Sequence, residues 1–270
     1  MKYLTFNLPP VRSGAGLGHH LGNLYAFLNF AYHNDSHLVA PIFLLHGKHN
    51  SSKFLRSDLS KYFQFDSVVV GGKNFPIIPH ANSLDPENIK TIEVDQKTYD
   101  SCGGALPISD FFSSLPDCSR FIPTNNSSKE VAKNVARMIS DKYTCIHVRR
   151  GDKVFDLKTG EVRDGELHHA TSPENILRFA KLCGNKKVYI MTDESPSFFS
   201  SLLDSEFDFF FYKDFDILNI KDNFLLYQIE NEIMRLADKK VSTFSVGYSV
   251  FYEAHKDFYD FYLLNRKGHT

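Results

Sequence analysis

Apolar positions divide the chain into a regular half and an irregular one. Beyond residue 125, short β-rich runs alternate with segments of helical period, which predicts a parallel sheet covered by helices. A helix is expected from a Ser128 cap through residues 129–140, with Val131, Val135, Met138 and Ile139 on one face. A strand over 143–148 and then a polar loop follow. Ser172-Pro173-Glu174 supplies a cap, a proline at the first helical position and an acidic first turn to a helix that ends near Gly184. Next come a strand at 188–191, a short helix from Ser195-Pro196 and an aromatic strand over 207–212. An amphipathic helix over 222–238 turns Leu226, Ile229, Ile233, Leu236 and Ala237 inward, before a last strand at 241–244. Four strands separated by helices form a Rossmann-like unit, with a further helix expected over 247–255.

The first half carries one clear βαβ unit: a strand over 2–8, a helix over 17–32 and a strand over 37–45. From 47 to 123 the pattern weakens, because Gly71-Gly72, Pro76, Pro79, Pro86, Gly103-Gly104, Pro107 and Pro116 interrupt the apolar runs. A boundary near Asn125-Asn126-Ser127-Ser128 gives domains 1–126 and 127–270.

Composition removes several classes. The formal net charge is −1 over 270 residues, so no general field favours nucleic acid or an anionic membrane, and any anion must meet a local basic cluster. No run of about 18 apolar residues and no signal-peptide pattern occur, so no transmembrane segment is expected and the location expected is cytoplasmic. Cys102, Cys118, Cys145 and Cys183 lack metal-ligand spacing and are read as reduced thiols. The acceptor patterns at Asn34, Asn50, Asn125 and Asn126 are then fortuitous. With 25 Phe and 13 Tyr, a large aromatic core is expected.

The densest chemistry lies at Ile146-His-Val-Arg-Arg-Gly-Asp-Lys153, at the carboxyl end of a predicted parallel strand, where ligands of open α/β sheets bind. Arginine forks match phosphate oxygens and lysine adds a point charge, so a diphosphate suits the cluster; a solvated loop with an internal Arg–Asp pair is the plain alternative. Ser13-Gly-Ala-Gly-Leu-Gly-His-His20 precedes the first helix; its spacing fits neither the dinucleotide fingerprint nor the Walker pattern, and it also reads as a simple turn. Thr192-Asp193-Glu194 ends the next strand and suits sugar hydroxyls or a helix cap. Ser242-Thr-Phe-Ser245 offers hydroxyls and amides, or is an ordinary strand end. Asp214-Phe-Asp216 matches a metal-bridging DxD pair, a minor alternative.

Taken in order, these motifs resemble the GDP-fucose-dependent fucosyltransferases, the α-1,6 group most closely in wording, with the α-1,2 and protein O-fucosyltransferases in the same superfamily. Gly14 to His20, His147 to Lys153, Tyr189 to Glu194 and Glu230 to Ser245 carry the likeness. It implies a GT-B-like α/β fold of two Rossmann-like lobes with a cleft between them, the first lobe on the acceptor side. The implied chemistry is inverting, metal-independent transfer of L-fucose from GDP-fucose to a glycan hydroxyl, with no cofactor. Its partners are then a nucleotide sugar and a carbohydrate acceptor. Arg149, Arg150, Asp152 and Lys153 are the implied catalytic residues. Gly16, Gly18, His19, His20, His147, Asp193, Glu194, Glu230, Thr243, Phe244 and Ser245 are the implied donor-binding ones, Glu230 standing where the family has an aspartate. Counted without gaps, Leu157 occupies the place of the group's base carboxylate, which leaves Asp156, Glu161, Asp164 and Glu166 as candidates. A different nucleotide sugar as donor, or a binding module without catalysis, are the rival readings.

Overall fold

Leu4 and Phe6 of strand β1 (Lys2–Asn7) point inward, as a period of two requires of a half-buried strand. They meet helix α1 (Leu17–His33), where Leu21, Leu24, Phe27, Leu28 and Ala31 are buried; the Phe6 and Phe27 rings stack with centroids 4.0 Å apart. In this computed structural model residues 2–9, 17–45, 55–70, 72–80, 84–95, 122–156 and 158–243 are described. They form two units. One holds the described residues up to Ser128 together with Lys221–Leu225, and the other holds Lys129–Ile220 together with 226–243.

In the first unit β1 is flanked by two parallel neighbours, β2 (Ser36–Leu38) and, further along the chain, Ile89–Glu93. The single strand expected over 37–45 is two. After β2 the chain passes Pro41, which has no N–H to give a ladder. It re-enters as β3 (Phe43–Leu45), antiparallel to β4 (Leu55–Ser57) in a separate ribbon. A small hairpin of β5 (Val69–Val70) and β6 (Lys73–Asn74) follows. The Ile89–Glu93 strand, β7, was not foreseen, for only Ile89 and Ile92 are apolar and even they are half-buried.

The second unit holds a parallel sheet of order β10-β9-β8-β11. It is approached through α2 (Asn126–Ile139), which starts ahead of the expected Ser128 cap. The Asn125 carboxamide accepts from the Ser128 N–H at 2.8 Å and caps the helix instead, while Ser128 is 1% exposed in the first turn. Strand β8 (Thr144–Val148) leads into the stretch read as a polar loop, which contains α3 (Gly151–Val154) and α4 (Gly165–Ala170); Asp164 caps α4 by accepting from the Leu167 N–H. Helix α5 (Pro173–Cys183) is capped by Ser172 and closed by Gly184 at φ +79, as its sequence predicts.

Then come β9 (Lys187–Thr192), a 3-10 stretch at Pro196–Leu202, β10 (Asp208–Phe210), α6 (Asn223–Leu236) and β11 (Lys239–Ser242). The aromatic strand is shorter than expected because the Asp214 carboxylate takes the Phe211 N–H at 2.7 Å. The last strand begins two residues earlier than read, paired from Lys239 with Thr144. Ile146, Val148, Ile176, Ala180, Val188, Ile190, Phe199 and Val241 form a core sealed from water, with Cys145 beneath it on β8. Among the described residues no helix is long and apolar enough to cross a membrane. The helix expected over 247–255 lies outside the described residues.

Candidate functional site

Register assembles the site. Val148 of β8 pairs with Thr192 of β9, so Arg149 and Asp193 leave the carboxyl edge of the sheet side by side. Across β8, Ser242 pairs with His147 and brings Thr243 to the same edge. Motifs 44 and 94 residues away along the chain thus converge on one turn.

The Arg149 guanidinium pairs with the Asp193 carboxylate through Nη1 and Oδ2; the side chains are 26% and 32% exposed. The other carboxylate oxygen accepts from the Arg150 N–H at 3.0 Å. Gly151 makes this approach feasible. It sits at φ +34, and a Cβ there would lie 2.6 Å from Asp193 Oδ2 and 3.3 Å from Arg149 Nη1.

Arg150 faces the opposite way, and the expectation of two arginines offered together to one ligand is corrected. Its side chain is 3% exposed. Nε donates to Glu194 Oε1 at 3.1 Å, and Nη1 donates to Thr171 Oγ1 at 2.6 Å and to the carbonyls of His168 and Thr171. Phe198 lies against the guanidinium at 4.3 Å and Phe155 at 5.4 Å. A guanidinium so satisfied fastens the turn after β8 to α4 and to the strand end of β9. Breaking such a buried set costs about 3–5 kcal/mol.

His147 is half-buried with Nδ1 3.3 Å from Ser242 Oγ. Burial lowers its pKa to about 4, against a weaker upward pull from Asp193, so the imidazole is neutral at pH 7. Thr243, 4% exposed, donates its N–H and hydroxyl to the His147 carbonyl and receives the Arg149 N–H at 3.4 Å, which locks the strand ends together. Lys153 is exposed on α3.

Glu230 is placed elsewhere. It is 6% exposed in the core face of α6, where the Tyr189 hydroxyl donates to Oε1 at 2.8 Å, and burial raises its pKa to about 8. His20 is fully buried in the first unit with its ring 5.2 Å from Phe43. Gly18 and His19 fall in the first turn of α1 and Asp152 in α3; their side chains, and all of Gly16, Phe244 and Ser245, lie outside the described residues. Of the base candidates, Asp156 accepts from the Lys158 and Thr159 N–H groups and Asp164 caps α4, whereas Glu161 and Glu166 are exposed. Asp214 caps its own turn, and the described residues hold no cluster of three metal-ligating side chains.

Sequence reasoning missed Thr171 and Phe198, which grip Arg150. Neither belongs to a motif; a strand-end arginine followed by a second arginine is the one local hint that some neighbour must hold one of them.

No family model and no curated protein matches the sequence. Solved structures do. A POFUT1 structure in complex with GDP matches with a TM-score of 0.54 at 14% identity, covering 96% of each chain. The POFUT1 apo form gives 0.52 at 15% identity over 95% of each chain. A POFUT1 complex with GDP-fucose gives 0.51 at 14% identity over 94% of this chain and 93% of that one. The molecule is an α/β protein of parallel sheets with a charged cluster at a strand-end turn. Its fold is that of the POFUT1 structures.

Proposed function

We propose that the chain is a GT-B-like glycosyltransferase that moves L-fucose from GDP-fucose to a hydroxyl of a glycan acceptor, with inversion and without a metal ion. Three supports converge: the four ordered motifs, the fold shared with a POFUT1 structure that holds GDP-fucose, and the geometry of Arg149. The last carries the reading. Arg149 stands at the carboxyl edge of the sheet, partly exposed, with an anionic group, the Asp193 carboxylate, already seated against it.

In the reaction the acceptor oxygen attacks the anomeric carbon from the face opposite the diphosphate. The bond from that carbon to the β-phosphate oxygen breaks, and its electron pair leaves with GDP. Arg149 stabilises the charge that grows on the diphosphate, an interaction stronger in the transition state than in the ground state. Arg150 touches no ligand in this scheme; it holds the turn that presents Arg149. Neutral His147 can offer a ring nitrogen to the nucleotide without adding charge. The acceptor proton passes to a carboxylate, Glu161 or Glu166, since the turn and the cap engage Asp156 and Asp164.

The test is Arg149→Ala. Wild-type protein is expected to bind GDP and GDP-fucose by calorimetry and to release GDP in the presence of acceptor glycans. The variant is expected to keep its melting temperature and lose transfer by at least a hundredfold. Unchanged turnover would exclude the site. A panel of GDP- and UDP-linked sugars separates this donor from its rivals, and binding without transfer would mark a non-catalytic module.

A further inference from the structure

Among the described residues, the parallel sheet of each unit is wired alike: its first strand lies inside, with the next strand of the chain on one side and the last on the other. Such a reversal of strand order parts the loops leaving the carboxyl edge and opens a crevice there. In the second unit that edge carries Arg149 and its partners. In the first unit the reversal falls between β1 and β7, and the last residue of each strand is polar: Asn7 and Glu93. The two are direct partners in the parallel register, and both are exposed. Asn7 Nδ2 donates to Glu93 Oε2 at 2.8 Å, and the Val94 N–H donates to the Asn7 carbonyl at 3.1 Å, so side chains and backbone both hold the pair together. That side-chain bond uses one amide N–H and one carboxylate oxygen. A second N–H, the amide oxygen and the other carboxylate oxygen are left to face outward.

We infer that the Asn7–Glu93 pair is a second binding site, which takes the hydroxyl groups of a neutral sugar. A hydroxyl gives one proton and accepts another, and this pair offers an acceptor and a donor side by side. An anion is disfavoured, because Glu93 and the exposed Asp95 make the edge acidic, in contrast to the guanidinium at the edge of the second unit. Leu8, Pro9 and Val94, which follow the pair along the chain, are half-buried and leave apolar surface for the C–H face of a pyranose. The choice of a sugar over other neutral polyols rests on the transfer reading, which needs a place for the carbohydrate. Neither residue belongs to the motifs that carry the family resemblance.

Titration of the full chain, followed by NMR, with maltose, cellobiose, lactose and chitobiose tests this, with GDP as the control ligand. Wild type is expected to bind at least one of the four sugars. Glu93→Gln removes the charge and one acceptor oxygen at almost constant shape, and is expected to weaken that sugar about tenfold; Asn7→Ala is expected to weaken it about threefold. Both variants should keep the melting temperature and the GDP affinity of wild type, because both side chains are exposed and neither meets the diphosphate. If wild type binds none of the sugars, or Glu93→Gln binds them as wild type does, the pair is a surface hydrogen bond only and the inference falls; GDP binding that depends on Arg149 then leaves the transfer reading standing. If wild type binds no GDP while its sugar binding depends on Glu93, the transfer reading falls and the sugar site stands. Equal weakening of sugar and GDP by Glu93→Gln would mark a general packing role and overturn the inference.

Discussion

At the carboxyl edge of β8 and β9, Arg149 and Asp193 keep about a quarter to a third of their side-chain surface in water; lower on the same sheet, Tyr189 of β9 meets the buried Glu230 of α6. The edge holds its groups as ions that can change partners. The interior holds its carboxyl as a neutral acid, because the desolvation cost of a charge exceeds what one phenol returns. Arg150 lies between these regimes. It is as buried as Glu230 yet always charged, so it must be surrounded by acceptors. The difference shows which groups can serve a ligand: exchangeable at the edge, committed below it.

The largest effect that tests this contrast is the loss of transfer in Arg149→Ala, at least a hundredfold with the fold kept, since a partly exposed pair contributes about 1 kcal/mol or less to stability. Arg150→Met should do the reverse in kind. It strands the Thr171 and Glu194 acceptors, and chemical denaturation is expected to show a loss of about 3 kcal/mol. A variant as stable as wild type would place Arg150 with the exchangeable edge.

The third effect is a pH profile. Glu230 has a folded pKa of about 8 against 4.5 for the free side chain, so between these values the fold binds a proton that the unfolded chain has lost, and stability falls as pH rises. His147, at about 4 against 6.5, acts oppositely: the unfolded chain binds the extra proton, and stability rises from pH 4 to 6.5. The two slopes offset between about pH 4.5 and 6.5. Above 6.5 only Glu230 remains, and stability should decline by about 1.4 kcal/mol per pH unit up to pH 8. In Glu230→Gln that decline should vanish and the His147 rise should emerge; denaturation at pH 5, 6.5 and 8 reads both. The smallest effect is at the helix entry, where Asn125→Ala should cost about 1 kcal/mol and leave ligand binding untouched.

The second unit was legible because its two central strands, β8 and β9, are largely buried apolar runs and the helix between them has strong punctuation at Ser172, Pro173 and Gly184. The first unit obscured its strands: β7 has two apolar residues in five, and Pro41 cut a run that read as continuous. At the site, sequence located the turn after β8 and the convergence of 147–153, 192–194 and 242–243, since parallel strands end on one edge. It could not separate Arg149 from Arg150. Adjacent residues leaving a strand point to opposite sides, and which side holds Thr171 and Phe198 depends on how α4 and the stretch after β9 pack. Glu230 was placed among ligand contacts by resemblance, while its helix face turns it to Tyr189.

The spacing at Gly151 has an outcome for anyone redesigning this turn. One methyl group at that position would arrive within 2.6 Å of an oxygen of Asp193, so the carboxylate would have to swing away and release its grip on the neighbouring guanidinium. The smallest possible enlargement of the chain there would act as a latch release, freeing the arginine through crowding and with every charge left in place.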